Sequence, residues 1–424
     1  MKLLALMLSL LQTLISAQGI LVRPVHIPVQ ESRPVNVFVA GLLGFGETTA
    51  VNFTVPYWGT VNGNIQETLE REGFPSYAAS CGPLSSAWDR ACELYAQLAG
   101  GTVDYGEAHA AKYGHARYGR TYEPLFEGWS TAQPVNLIGH SFGGPTIDLF
   151  TQLCAAGSAE ERAATTDGTL SPFFQGGLVD RIHSVTTLAS PHNGTTADVV
   201  IQNEGEAGDF LGALSIFAAL GNAPGWLNGI YDVQLEHWGL SVPPGEGGGA
   251  MPTKAQIQAF AASGDNALYD LSIPGANALN AFIQTQPGVY YFSYSASVTN
   301  AVHLPAGEGY LPPMQELRDP VLAYFGTQMG LQMGKATGQT MGGDPLWLQN
   351  DGAVPVASAM YPAGEPHVSF LQANGNYNPG VWHVMPTIYN ADHAYFCGMD
   401  PVNSNPEQLK AFYLDHMQLL EATY

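Results

Sequence analysis

Four short runs of apolar, mostly β-branched or aromatic residues punctuate the chain: Val35 to Ala40, Val135 to Ile138, Ser184 to Leu188 and Val289 to Tyr294. The first ends in the turn Gly41, Leu42, Leu43, Gly44 and the second at Gly139. Runs this short, bounded by turn residues and lacking strict alternation, predict strands buried on both faces. Between them, apolar residues recur at helical spacing over Trp88 to Leu98 and Thr146 to Cys154. Strands alternating with helices predict an α/β fold with a mostly parallel central sheet and helices on both faces. A later run, Leu346 to Gln349, is read as one more strand, closed by the turn Asn350, Asp351, Gly352. Pro243 to Gly249 is rich in proline and glycine and reads as a loop. With no internal repeat and no long charge run, residues 18–424 are expected to form one domain with large insertions.

The first seventeen residues stand apart. Lys2, the apolar stretch Leu3 to Ile15 and the small pair Ser16 and Ala17 have the layout of a secretory signal peptide. Residues 1–17 are therefore set aside from the fold, and a secreted, extracellular protein is expected. The run is too short and interrupted for a membrane span, and no second stretch reaches spanning length. The net charge of −22 argues against nucleic acid as a partner. Cys81, Cys92, Cys154 and Cys397 either pair in an oxidising compartment or sit as buried thiols. Sequons begin at Asn52 and Asn193.

The chemistry concentrates at Gly139, His140, Ser141, Phe142, Gly143. This is the Gly-x-Ser-x-Gly nucleophile elbow, and it stands where a strand ends and a helix begins. The tight turn brings backbone close to backbone two positions either side of the serine, which favours glycine there. Ser141 is the candidate nucleophile. In this arrangement the acid and then the histidine follow later in the chain. Asp351, in its turn, is the candidate acid. His393 is the candidate base, with His140, His367 and His383 as competitors. Asp392 adjoins His393 too closely to orient it. The main-chain N–H groups of Phe142 and Leu42 are the candidate oxyanion donors.

Further stretches carry a resemblance. Gly82 to Ser85, Trp88 to Glu93, Gly100 to Gly106, Ala108 to Gly119, Trp238 to Leu240, Asn350 to Gly352 and Tyr389 to Pro401 are long or compositionally unusual. In them the chain resembles the thermoalkaliphilic bacillus lipases and, more distantly, the staphylococcal lipases, from about Val35 almost to the C-terminus. The resemblance implies the α/β-hydrolase fold, a triad of Ser141, Asp351 and His393, triacylglycerol hydrolysis and a lid that opens at a lipid surface. It also implies a structural zinc ion on Asp89, His109, His115 and Glu236, with glutamate where the family has aspartate and His237 alongside as a substitute. The family's calcium site survives only at Asp400 and Pro401, because Tyr395 replaces a glutamate. Ala40, Gly41, Leu42 stand where the family has His-Gly-Phe.

Phe210 to Leu220 places Leu211, Leu214, Ile216 and Phe217 at helical spacing after an acidic run. The pattern alone suits a core helix; its position matches the family's lid, expected over 204–222. The resulting expectation is a lipase acting at an oil–water interface. Esterases or polyester hydrolases for short-chain or soluble esters are the near alternative. A non-catalytic lipid-binding protein and a hydrolase with catalytic zinc are the more distant ones.

Overall fold

The computed structural model describes residues 33–53, 55–197, 207–223, 230–244, 246, 248–299, 345–399 and 405–424. The signal segment and the calcium pair Asp400 and Pro401 lie outside these residues. The described strands are β1 (Val35–Val39), β2 (Ser76–Ala79), β3 (Gly101–Asp104), β4 (Tyr118–Tyr122), β5 (Val135–His140), β6 (Ile182–Leu188), β7 (Tyr290–Tyr294), β8 (Ala296–Ser297), β9 (His367–Ser369), β10 (Trp382–Val384) and β11 (Ile388–Tyr389). Seven form one sheet in the order β2-β1-β5-β6-β7-β10-β9, and every pairing is parallel. Parallel strands need crossovers, and helices supply them, among them α1 (Ile65–Arg71), α2 (Ala87–Ala99), α3 (Glu107–Tyr113), α4 (Gly143–Ala156), α5 (Ala207–Gly221) and α6 (Lys254–Ala262); α7 (Pro406–Glu421) follows the last described strand.

The period of two in each strand divides the interior into two cores. Val35, Val37 and Val39 of β1, with Val135 and Leu137 of β5, face α2 and α4. Phe38, Ile138 and Phe292 face the opposite way, onto α1 and α7 through Ile65, Leu69, Leu409 and Tyr413. Each such side chain, fully buried, contributes roughly 1.5–3 kcal/mol. The architecture is the α/β-hydrolase fold, in which parallel strands all deliver loops to one sheet edge.

The four apolar runs are β1, β5, β6 and β7, and the two helical patterns are α2 and α4, each within three residues of its expected ends. The fifth run is corrected: Leu346 lies in a short helix, Pro345–Leu348, and Asn350 makes only an isolated bridge to Pro355. Proline opening the segment has no N–H for a sheet ladder and is pre-set for a first helical turn. Seven described strands escaped the pattern: β8 to β11 are only two or three residues long, Ser76–Ala79 lacks β-branched residues, and β3 and β4 carry mostly polar or small residues at exposed and half-buried positions. The four cysteines are buried free thiols. Asn52 and Asn193 are buried and hydrogen-bonded, so neither sequon is open to glycosylation in the folded chain.

The expected lid segment contains α5. Leu214 and Ala218 are buried in the second core, with Phe217 and Leu220 packed against it, and α6 lies alongside. The Phe217 ring stands 5.6 Å from that of Tyr231, whose hydroxyl donates to the Leu43 carbonyl in the loop after β1.

Candidate active site and metal centre

Ser141 sits directly after β5 with φ at 54°, in the left-handed region that a side-chain-bearing residue occupies only under constraint. The constraint is visible at the flanking glycines. A Cβ on Gly143 would lie 2.1 Å from the Val39 carbonyl oxygen, and one on Gly139 would meet Gly143 at 2.6 Å. The turn therefore closes only with glycine at both places, and it lifts the serine onto the carboxyl edge of the sheet.

Two distant segments meet the hydroxyl. His393 Nε2 lies 2.8 Å from Ser141 Oγ, and His393 Nδ1 lies 2.9 Å from Asp351 Oδ2. Because a carboxylate only accepts, Nδ1 carries the proton and Nε2 presents its lone pair to the serine. The other Asp351 oxygen accepts from the N–H groups of Ala353 and Val354, at 2.9 and 2.7 Å, and the His393 N–H donates to the Asp351 carbonyl. Burial disfavours the His393 imidazolium, but the charge and hydrogen bond of Asp351 outweigh it and hold the pKa above its ordinary value. The competing histidines are engaged elsewhere. His383 on β10 accepts from the Asn378 N–H, His367 is exposed on the edge strand β9, and His140 turns away from Ser141 toward Tyr57. Asp392 caps the Ala394 N–H.

Around the nucleophile most main-chain donors are committed. Gly41 N–H donates to Tyr57 Oη, Leu43 N–H to the Pro83 carbonyl and Ser141 N–H to the Leu188 carbonyl. No acceptor for the N–H of Leu42 or Phe142 is found among the described residues. Gly41 packs so closely on the nucleophile that a Cβ there would lie 2.6 Å from Ser141 Cβ.

A second constellation lies on α2, α3, the loop after α3 and the turn after α6. Asp89, His109, His115 and Asp265 present ligand atoms that all fall within 4.8 Å of one another. His109 Nε2 is 3.4 Å from Asp89 Oδ1 and 3.2 Å from Asp265 Oδ1, and His115 Nε2 is 3.2 Å from Asp265 Oδ2. Yet Asp89 Oδ1, Asp265 Oδ2 and both Nε2 atoms are buried without a hydrogen bond. Buried polar atoms that converge without bonding one another form a donor set for a cation. Their surroundings orient them for it. His115 Nδ1–H donates to the Ala116 carbonyl, His237 Nε2–H donates to Asp89 Oδ2, and Glu161 accepts from the N–H groups of Ala108 and His109 at the start of α3.

The fourth ligand expected from the sequence, Glu236, is corrected to Asp265. Glu236 is bound to Arg120 at 2.6 Å, beside Asp232, and its carboxylate is spent on that ion pair. His237 reaches the site only through Asp89. Asp265 went unnoticed because, just before the Asn266 cap of a short helix, it looks like an ordinary capping acid.

A family model described as "Lipase-like, C-terminal domain" matches residues 31–422. A lipase of Staphylococcus epidermidis is 35% identical over 381 residues, which is 89% of this chain and 52% of that protein. The chain thus spans about half the length of the curated relatives it matches. The crystal structure of Staphylococcus hyicus lipase superposes with a TM-score of 0.76 at 32% identity, covering 94% of this chain and 99% of that one. EstA from Clostridium botulinum does so with a TM-score of 0.73 at 33% identity, covering 96% and 93%. Among the described residues no helix is long and apolar enough to cross a membrane. Fold, elbow and sequence agree, and the chain belongs to the family of the lipase-like C-terminal domain.

Proposed function

We propose that this protein is a secreted triacylglycerol lipase that cleaves carboxylic esters through an acyl-enzyme on Ser141. The observation that carries the reading is the unbroken relay from Ser141 Oγ to His393 Nε2 and from His393 Nδ1 to Asp351. As Ser141 Oγ attacks the ester carbonyl, its proton passes to His393 Nε2, and the resulting imidazolium is stabilised by Asp351. The Leu42 and Phe142 N–H groups, which have no acceptor among the described residues, receive the developing oxyanion. His393 then protonates the departing alcohol, and water, deprotonated by the same nitrogen, releases the acid.

Helix α5 is the lid. In water its apolar side chains rest on the second core, and a lipid surface offers them an alternative partner. Asp89, His109, His115 and Asp265 hold zinc. Two imidazoles and two carboxylates suit its tetrahedral nitrogen and oxygen preference, and their charge balances a dication. Zinc held there would tie α2, α3 and the Asp265 turn together, a structural role.

The test compares the mature chain with Ser141→Ala on a long-chain triacylglycerol emulsion and on a dissolved short-chain ester. Loss of both activities, on the order of a million-fold in turnover, is expected. Wild-type activity confined to the dissolved ester makes the protein an esterase. Equal activity in the variant overturns the serine mechanism.

A further inference from the structure

The loop that carries Leu42 and the strand end that carries Ser141 are joined by a hydrogen-bonded bridge that the triad itself does not use. Tyr57 Oη accepts from the Gly41 N–H at 3.1 Å and lies 2.7 Å from His140 Nδ1. On the other side of the ring, His140 Nε2 lies 2.8 Å from the main-chain carbonyl of His393. A carbonyl only accepts, so Nε2 carries the imidazole proton and Nδ1 is the lone pair. Tyr57 O–H must then donate to Nδ1, which leaves its oxygen free to accept from Gly41. The chain of donors runs one way, from Gly41 through Tyr57 to His140, while His140 separately donates to His393. Burial, reinforced by His393 nearby, pushes His140 down to about 3 and keeps it neutral. Burial, with Cys397 beside it, keeps Tyr57 protonated.

The bridge grips one particular peptide group. The Gly41 N–H and the Ala40 carbonyl belong to the same plane, and Arg90 Nη2 donates to that carbonyl. Buried Arg90 also donates to the Gly82 carbonyl at 2.8 Å and to Thr146 Oγ1 at 2.9 Å. The next peptide has its Gly41 carbonyl tied to the Gly44 N–H at 3.0 Å, so its other end, the Leu42 N–H, is set in direction. Tyr57 and Arg90 thus clamp the peptide before the proposed oxyanion donor, and His140 passes the same constraint to His393.

We propose that Tyr57 and His140 are positioning residues that couple the oxyanion loop to the catalytic histidine, fixing the Leu42 N–H and the His393 main chain relative to one another. The inference rests on the triad reading above. Neither side chain touches substrate, so the cost of losing them falls on the geometry of the transition state and not on ester binding.

The experiment measures kcat, KM and melting temperature on a dissolved short-chain ester for Tyr57→Phe, His140→Leu, His140→Gln and Ser141→Ala. In Tyr57→Phe the Cys397 thiol, 3.3 Å from His140 Nδ1, can take over as donor. The loss then falls on Gly41 alone. Tyr57→Phe and His140→Leu should each lower kcat about 10- to 100-fold with KM within twofold. His140→Gln, which keeps one donor and one acceptor, should recover most of the loss. Wild-type kcat in Tyr57→Phe and His140→Leu, with Ser141→Ala inactive, overturns the coupling alone. So does a kcat loss that only tracks the fraction of folded protein. If Tyr57→Phe does not fold, equal kcat in the two His140 variants overturns the coupling, and a gap between them supports it. Full turnover in Ser141→Ala overturns the triad reading and the coupling with it.

Discussion

Two of the buried groups of histidines and carboxylates among the described residues differ in what their polar atoms face. At Ser141, His393 and Asp351 every functional atom has a hydrogen-bond partner, and the chain of donors has one sense. At Asp89, His109, His115 and Asp265 the converging atoms approach one another without bonding. The first arrangement is complete as protein and suits the movement of a proton. The second is incomplete as protein and suits a cation, since unpaired buried polar atoms are costly. A third group sharpens the contrast. His192 lies between Asp148, at 2.9 Å, and Thr187, at 3.0 Å, with triad-like spacing. All three residues are buried within the core, so the same chemistry there serves packing.

The largest effect should come from the triad. Asp351→Asn keeps the side-chain volume but disturbs the His393 tautomer, and kcat should fall about ten-thousand-fold, the loss this change causes in a Ser-His-Asp triad, with little change in melting temperature. A loss of tenfold or less would place the orienting carboxylate elsewhere. At the second group, Asp265→Ala should abolish binding of one equivalent of divalent metal and cost about 4 kcal/mol under saturating metal. Glu236→Ala should retain full metal stoichiometry by elemental analysis; if Glu236→Ala loses the metal and Asp265→Ala keeps it, the corrected ligand set is wrong. His192→Leu strands the Asp148 carboxylate, whose pKa burial already raises against the pull of His192. It should destabilise by about 3 kcal/mol. The kcat of the folded fraction should be unchanged, and a large fall in it would make this third group catalytic.

The smallest effect is the pH dependence. The proposed mechanism needs neutral His393, and Asp351 holds its pKa above the ordinary 6.5. The rate kcat/KM should therefore rise with pH through a midpoint above 6.5, losing about tenfold for each unit below it. Asp351→Asn should move that limb to lower pH, and an unmoved limb would assign it to a different group.

The parts of this protein legible along the chain are those whose physics is local. Strand runs and glycines around Ser141 answer to neighbours within a few residues: period-two packing at β1 and β5, and backbone approach at Gly139 and Gly143. Asp351 and His393 were legible as candidates, though the strand read before Asp351 is a helix because Pro345 begins it. Choosing His393 over His140, His367 and His383 took either a family likeness or the fold, since nothing beside a histidine states what its ring will meet.

The sequence by itself determined the four main buried strands, helices α2 and α4, and the elbow with its candidate nucleophile, because torsional and packing preferences act over a few residues. Only the tertiary structure decided that Asp265 and not Glu236 joins the two histidines, that four cysteines stay apart as thiols, and that Tyr57 reaches His140. Those outcomes depend on which side chains the packing of the layers brings together over long stretches of chain, 83 residues for Tyr57 and His140 and 116 for Arg120 and Glu236.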